Sequence, residues 1–276
     1  MNDRERLTRH GIRPKKSLGQ NFLHDPYALE KIVAAAELTP ETTVLEIGAG
    51  TGNLTRLLAR AARRVVAVEL DDRLIPLLAD EFADQPHVRI VHGDILELET
   101  RALVGDVPYT VVANLPYYIT SAVLRRLLAQ PLRSQRLVLT VQKEVAERIT
   151  ARPNAMSILA VSVQFYGHAE VVARLKSGAF WPRPDVESAV VRVDVFSSPR
   201  VNVPDEKLFF RVVRIGFSQK RKQLRNTLSA GLQISKADAD ALLLQNDIAP
   251  QRRAETLSVE EWAALTRAVD EKLRAS

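Results

Sequence analysis

Two stretches of this sequence carry residue types that can do chemistry. One is Glu46-Ile47-Gly48-Ala49-Gly50-Thr51-Gly52, the other Asn114-Leu115-Pro116-Tyr117. In the second, the Asn114 side-chain oxygen and the Leu115 carbonyl are neighbouring acceptors. Such a pair suits the exocyclic amine of adenine, a poor nucleophile because its lone pair is delocalised into the ring. Acceptors on the amine favour a pyramidal nitrogen and stabilise the positive charge it gains on methyl transfer. Pro116 stiffens the turn, and Tyr117 offers a face on which an extruded base stacks. That chemistry requires neither a metal nor a strong general base.

The first stretch reads as a ligand-binding turn. A dinucleotide fingerprint spaces its glycines G-x-G-x-x-G and aims a helix at a pyrophosphate. Here the spacing is the shorter Gly48-x-Gly50-x-Gly52, with Glu46 inside the strand end before it. A ligand with cations and no phosphates suits that arrangement, and S-adenosylmethionine is such a ligand. A plain structural turn uses the same glycines, so the pattern alone does not decide. Two acids sharpen it. Glu69, about 20 residues after the first glycine, is placed to accept from both ribose hydroxyls. Asp94, after Val88–Val91, is placed to accept from the adenine amino group of the cofactor.

The elements that must position these groups follow from periodicity. Thr42–Ile47, Val65–Val68, Val88–Val91, Tyr109–Ala113 and Arg136–Gln142 are short apolar, β-branched runs and read as buried strands. Leu54, Leu57 and Leu58 mark a helix after the glycine turn. Glycine turn, Glu69, Asp94 and Asn114 then all fall at strand C-terminal ends, the edge where open α/β sheets bind ligands. Pro26–Ala36 reads as a helix capped by Asp25, Lys143–Ile149 as a helix with a Glu144–Arg148 pair, and Met156–Phe165 as another. His168–Leu175 and Ser188–Val195 are expected as a last, hairpin-like strand pair. Residues 97–108 read as a loop, and Ser17–Asp25 as too polar and glycine-broken for a strand but fit to close over a cofactor.

Composition sets the frame. With 276 residues and 46% apolar content, the chain is long enough for one α/β domain plus an appendage. No apolar run approaches roughly 18 residues, so no membrane span is expected. The polar N-terminus predicts no signal peptide. The absence of cysteine excludes disulfides and thiolate metal sites and suits a cytoplasmic protein. Net charge is +6 and the pI about 9.7, which favours a polyanionic partner. The five histidines show no ligand spacing, and no metal is expected.

Residues 1–16 carry Arg4, Arg6, Arg9, Arg13, Lys15 and Lys16 and are expected as a mobile arm, either merely solvated or touching RNA. Residues 197–205 read as a linker. Beyond it, helices are expected over 206–217, 221–231, 236–245 and 258–273, the last with Ser258 and Glu261 as a capping box. Arg211, Arg214, Lys220, Arg221, Lys222 and Arg225 lie in a stretch without any acid. It is the strongest phosphate footprint in the chain, against the plainer reading of a solvated basic face.

Taken in order, these motifs resemble the small-subunit ribosomal RNA adenine dimethyltransferases (the KsgA/RsmA family). The matching stretches are Gly19-Gln20-Asn21-Phe22-Leu23, Glu46 to Gly52, Glu69, Gly93-Asp94, Asn114 to Tyr117, and Phe180-Trp181-Pro182-Arg183-Pro184-Asp185-Val186-Glu187-Ser188. The likeness covers roughly residues 13 to 270. It implies an α/β fold, a Rossmann-like class I methyltransferase sheet with a small C-terminal all-helical domain. It implies cofactor contacts at Gln20, Asn21, Leu23, Gly48, Gly50, Glu69, Leu70, Asp94, Ile95 and Asn114, and a reacting pocket at Asn114, Leu115, Pro116, Tyr117 and Phe180. Phe180 alone reads equally as a plug under a loop; the resemblance favours a sandwich with Tyr117 around the base. At Tyr118 such proteins often carry Asn.

The expected organisation is a basic arm and cofactor-covering segment over 1–24, an S-adenosylmethionine-binding domain over 25–197 and a helical RNA-docking domain over 203–276. The resemblance implies dimethylation of two adjacent adenosines in a hairpin loop near the 3′ end of small-subunit rRNA, by a monomer acting on rRNA or the pre-30S particle. Three alternatives stay open: a large-subunit enzyme of the erythromycin-resistance type, a DNA adenine methyltransferase, and an assembly factor acting mainly by binding.

Overall fold

The structure is a computed structural model describing residues 3–130 and 132–274. It divides into two compact units. The described residues up to Ala146, together with His168–Ser197, form the first; Glu147–Gly167 and the described residues from Ser198 form the second.

In chain order the elements are α1 (Asp3–Arg9), β1 (Phe22–Leu23), α2 (Pro26–Ala36), β2 (Thr43–Ile47), α3 (Asn53–Ala61), β3 (Arg64–Glu69), α4 (Ile75–Glu81) and β4 (Val88–His92). Then come α5 (Thr100–Val104), β5 (Tyr109–Asn114), α6 (Thr120–Leu128), β6 (Arg136–Gln142), α7 (Lys143–Ile149), α8 (Ile158–Tyr166), β7 (Gly167–Leu175), β8 (Phe180–Trp181) and β9 (Ser188–Val195). The chain closes with α9 (Glu206–Gly216), α10 (Leu224–Leu232), α11 (Lys236–Leu244) and α12 (Val259–Arg274).

The first unit is an α/β structure on a seven-stranded sheet of order β4-β3-β2-β5-β6-β9-β7. Strands β4 to β6 are parallel, and β9 runs antiparallel to β6. Strands β2, β3, β5 and β6 are apolar because both faces are covered; Val44, Leu45, Val65, Val66, Val111, Val112, Leu137 and Val138 are fully buried. The chain goes from β2 outward to β3 and β4, then returns to the other side of β2 as β5. The reversal makes a switch point between β2 and β5, and open sheets bind ligands in the crevice above such points. Local signals agree with the fold here. Asp25 caps α2 by accepting from the Ala28 N–H at 2.8 Å, with Pro26 at the first helical position.

Several expectations change. Residues 3–9 are not a free arm but helix α1. Its Leu7 is fully buried, and Arg6 donates to the Thr51 carbonyl at 2.6 Å and pairs with Glu81, which also holds Arg56. The first two residues of the predicted arm lie outside the described residues. Phe22 and Leu23 do form a strand, paired antiparallel with Trp181 and Phe180. A two-residue strand has no periodicity of its own; its partner far along the chain creates it. The expected loop 97–108 contains α5, buried through Thr100, Leu103 and Val104. Lys143 pairs with Glu187 at 3.1 Å, and no ion pair joins Glu144 to Arg148 among the described residues.

The second unit is all helical. It takes in Glu147–Gly167, which the sequence reading placed with the sheet, because Phe165 on α8 stacks on Phe209 of α9 with ring centroids 4.5 Å apart. The fully buried Trp262 lies against α9. A Cβ on Gly216 would come within 2.2 Å of that indole, so glycine lets the two helices approach. The capping box of α12 forms as expected: Ser258 N–H donates to Glu261 Oε2 at 2.8 Å, and Glu261 N–H to Ser258 Oγ at 3.2 Å. The final two residues of the predicted 203–276 domain lie outside the described residues.

Candidate active site

The ends of β2, β3, β4 and β5 surround a cleft within the first unit. Its lining includes Gln20, Asn21, Gly48, Glu69, Leu70, Asp94, Ile95, Asn114, Leu115, Pro116 and Tyr117. Eleven positions singled out from sequence thus converge, from four strand ends and one covering segment.

The glycine turn is shaped by hydrogen bonds to its neighbours. Gly48 and Ala49 N–H donate to the Val68 carbonyl at 2.8 and 3.2 Å, folding the turn toward β3. Gly48, Gly50 and Gly52 all have positive φ, which disfavours other residues. A Cβ on Gly50 would sit 3.1 Å from the Phe22 ring. Glu69 Oε2 accepts from the Gly50 N–H at 2.7 Å and Oε1 from the Asp71 N–H at 2.8 Å. Each oxygen keeps a lone pair for a diol. Burial raises the Glu69 carboxyl above its ordinary range; the backbone N–H groups of Asp71, Gly50 and Leu70 counter it, and the charge of Asp71 adds to the rise. On the next strand end, Asp94 Oδ1 accepts from the Leu96 N–H at 2.8 Å.

The second stretch exits β5. Asn114 Nδ2 donates to the Asn21 carbonyl at 3.0 Å, tying it to the covering segment. Leu115 N–H donates to Thr140 O at 3.3 Å, and Ile119 N–H to Pro116 O at 3.2 Å, closing a turn on which Tyr117 stands. The Tyr117 hydroxyl bonds the buried Ser188 hydroxyl at 2.8 Å. Burial pushes the phenol's pKa above its ordinary value, with the Ser188 hydrogen bond pulling the other way, so the side chain is neutral and its ring lines the cleft.

Three expected contacts do not line the cleft. Leu23 is buried beneath it, its carbonyl accepting from Asn53 Nδ2 at 3.1 Å. Gly50 donates its N–H to Glu69 and lies outside the lining. Phe180 is 3% exposed and packed into the core as the partner of Leu23, so it is a plug in this conformation rather than one wall of a base sandwich with Tyr117. The lining also takes in Leu18, Gly19, Phe22, Ile47, Val68, Gly93 and Ile119. None is expected as a contact from sequence, though Leu18 lies in the covering segment, Gly19, Phe22, Ile47 and Gly93 lie in the matching stretches, and Val68 precedes Glu69. Tyr118, 62% exposed, lies at the rim.

In the helical unit, Arg211 and Arg214 are exposed on α9, and Lys220, Arg221 and Lys222 lie on the exposed turn before α10. None of the five has an ion pair among the described residues. Arg225 differs: it faces inward and pairs with Asp240.

The sequence pattern of the ribosomal RNA adenine dimethylases matches residues 11–271. The chain belongs to this family. A ribosomal RNA small subunit methyltransferase A from Dehalococcoides mccartyi (strain CBDB1) is 46% identical over 95% of this chain and 90% of its own. Another from Geobacillus sp. (strain WCH70) is 43% identical over 98% and 96%. Among solved structures, a dimethyladenosine transferase from Plasmodium falciparum is 25% identical with a TM-score of 0.76, covering 91% of this chain and 98% of its own. The 23S rRNA methyltransferase ErmE is 28% identical with a TM-score of 0.74, over 91% and 100%. The fold is thus the Rossmann-like class I methyltransferase fold, the protein is an rRNA adenine methyltransferase of this family, and class membership implies use of S-adenosylmethionine.

Proposed function

We propose that this protein converts two adjacent adenosines, in a hairpin loop near the 3′ end of small-subunit rRNA, to N6,N6-dimethyladenosine. The single observation that carries the reading is the convergence of the Glu69 carboxylate and the Asn114–Tyr117 turn on one cleft. S-Adenosylmethionine supplies the methyl group when bound. Glu69, its two oxygens fixed by Gly50 and Asp71, holds the ribose hydroxyls; Gly48 admits the ligand close to the backbone; Asp94 accepts from the cofactor adenine. Gln20, Asn21, Leu70 and Ile95 enclose it.

At the target base, Asn114 Oδ1 and the Leu115 carbonyl accept the amine hydrogens and turn the nitrogen lone pair toward the methyl donor. They also stabilise the charge that develops on nitrogen. Tyr117 supplies the stacking face. Dimethylation adds a demand. After one transfer a single amine hydrogen remains, so one acceptor suffices in the second round and the pocket must admit a methyl already present.

The basic residues Arg211, Arg214, Lys220, Arg221 and Lys222 contact RNA phosphates, and the enzyme works as a cytoplasmic monomer on rRNA within a pre-30S particle. Among the described residues no helix is long and apolar enough to cross a membrane. The large-subunit alternative draws on the likeness to ErmE, but the relatives named for the small subunit are far more similar in sequence. Methyl transfer into isolated small and large subunits, with wild type and Asn114→Ala, tests the reading. Label in the small subunit, lost in the variant with RNA binding retained, is expected. Label confined to the large subunit, or to DNA, overturns it.

A further inference from the structure

Asp71 lies two residues past Glu69 and lines no part of the cleft, yet it is the most connected acid near it. Its side chain is fully shielded from solvent. Arg73 grips it with two bonds, Nε to Oδ1 at 2.8 Å and Nη2 to Oδ2 at 2.5 Å. Gln20 Nε2 donates to Oδ2 at 2.7 Å, and Lys15 Nζ stands 3.6 Å from Oδ1. The Gln20 side-chain oxygen in turn accepts from the Lys15 N–H at 2.7 Å, and Arg73 Nη1 donates to the Arg13 carbonyl at 3.2 Å. One buried carboxylate therefore anchors the strap formed by residues 13–20. On its other side, the Asp71 backbone N–H fixes Glu69 Oε1.

The far end of the strap reaches the reacting turn. Gly19, at φ +59°, lets it pass against Pro116 and Tyr118. The next residues bring the Asn21 carbonyl to Asn114 Nδ2 at 3.0 Å. An amide has a donor end and an acceptor end. With the donor end held by Asn21, Asn114 Oδ1 is the end left for a substrate amine. Rotated by half a turn, the amide would set Oδ1 against the Asn21 carbonyl, two acceptors facing each other, and would offer the amine a donor instead.

We propose that Asp71 is a positioning residue, linking the ribose-binding acid to the reacting amide through the strap, and that this link selects the Asn114 orientation able to accept the amine. The proposal rests on the roles assigned to Glu69 and Asn114 above. It makes two functions one mechanical unit: Glu69–Asp71–Gln20–Asn21–Asn114. Severing the link frees the amide to turn, which costs turnover. Cofactor affinity suffers separately, through loss of order around Glu69.

The test uses the full chain with Gln20→Ala, Asp71→Ala and the double variant. Readouts are kcat and KM for methyl transfer to small-subunit rRNA, amide hydrogen exchange across residues 15–21, and circular dichroism. Gln20→Ala leaves the Asp71–Arg73 pair intact and removes the Gln20 bonds to Asp71 and Lys15. It is expected to lower kcat roughly tenfold, the scale of one charge-assisted hydrogen bond, and to speed exchange in the strap while the fold is retained. The double variant is expected to turn over no more slowly than Asp71→Ala, since both cut one path. Unchanged kcat in Gln20→Ala, unchanged exchange, or losses that multiply in the double variant would overturn the proposal. Should Asp71→Ala fail to fold, Gln20→Ala alone decides by kcat and exchange. Should wild type transfer no methyl to rRNA, the functional reading fails, and the exchange data still decide whether Asp71 holds the strap.

Discussion

The Gly50 amide donates to Glu69 Oε2 at 2.7 Å, joining the glycine turn after β2 to the acid that ends β3. The bond fixes the carboxylate at the cleft. Glu69→Ala removes the proposed ribose acceptor and strands two backbone donors, those of Gly50 and Asp71. Hydrogen bonds to a charged group are worth about 1.5–3 kcal/mol each, so loss of both ribose bonds is expected to lower cofactor affinity by roughly two to four orders of magnitude. Calorimetric titration of wild type and variant measures this; equal dissociation constants would remove Glu69 from the site.

Tyr117 presents two separable features, a ring face and a hydroxyl bound to Ser188 at 2.8 Å. Tyr117→Phe keeps the face and is expected to retain most activity, at a stability cost of about 1 kcal/mol for the unpaired Ser188 hydroxyl. Tyr117→Ala loses the face, worth about 1–3 kcal/mol per stacked base. Steady-state kinetics on RNA and thermal melts separate the two. Equal activity in the Phe and Ala variants contradicts a stacking role.

Glu46 is fully buried on β2, and neither of its carboxyl oxygens has a hydrogen-bond partner of good geometry. Burial pushes its carboxyl up from 4.5 to about 8; the Thr55 hydroxyl pulls the other way and the charge of Glu69 adds to the rise. At neutral pH the folded protein therefore holds a proton that the unfolded chain lacks. Between pH 4.5 and about 8 the folded state binds more protons, so this group makes stability fall as pH rises. The slope is at most about 1.4 kcal/mol per pH unit. Glu46→Gln, neutral at every pH, is expected to flatten the fall and to melt higher than wild type at pH 8. Parallel melting curves against pH for the two proteins would show that Glu46 ionises freely.

The basic residues of the helical unit divide in two. Arg211→Glu with Arg214→Glu is expected to weaken RNA binding and shallow its salt dependence by roughly one unit of slope per lost phosphate contact, leaving cofactor affinity unchanged. Arg225→Ala is expected to lower the melting temperature instead, because it leaves Asp240 half-buried without its partner. Filter binding at several salt concentrations, beside melting curves, distinguishes the groups. An unchanged salt slope in the double Glu variant would reassign the patch to a solvated face.

Much of the candidate site was legible because its residues sit in short, local patterns. A β-branched run that stops at Gly48 must turn, an acid closing the next run must lie at the same sheet edge, and Asn114 leaves β5 at that edge too. Parallel strands joined by helices bring their C-terminal ends together whatever the distances in sequence. Caps such as Asp25 and Ser258 were readable for the same reason, since donor and acceptor lie three residues apart.

Other features depended on partners far along the chain. Phe22-Leu23 is a strand only because Phe180-Trp181 lies beside it, and that pairing draws Phe180 into the core, out of the cleft. α1 is held by Glu81 and the Thr51 carbonyl, neither of which leaves a mark on residues 3–9. Glu147–Gly167 joined the helical unit through the stacking of Phe165 on Phe209. Residue types and spacing determined the sheet and set the glycine turn, Glu69, Asp94 and Asn114 at one edge of it, because those follow from periodicity and chain direction. Tertiary structure decided which way those groups point. The Asn114 amide is held at its Nδ2 by the Asn21 carbonyl, and no local pattern encodes a hydrogen bond between residues so far apart in sequence.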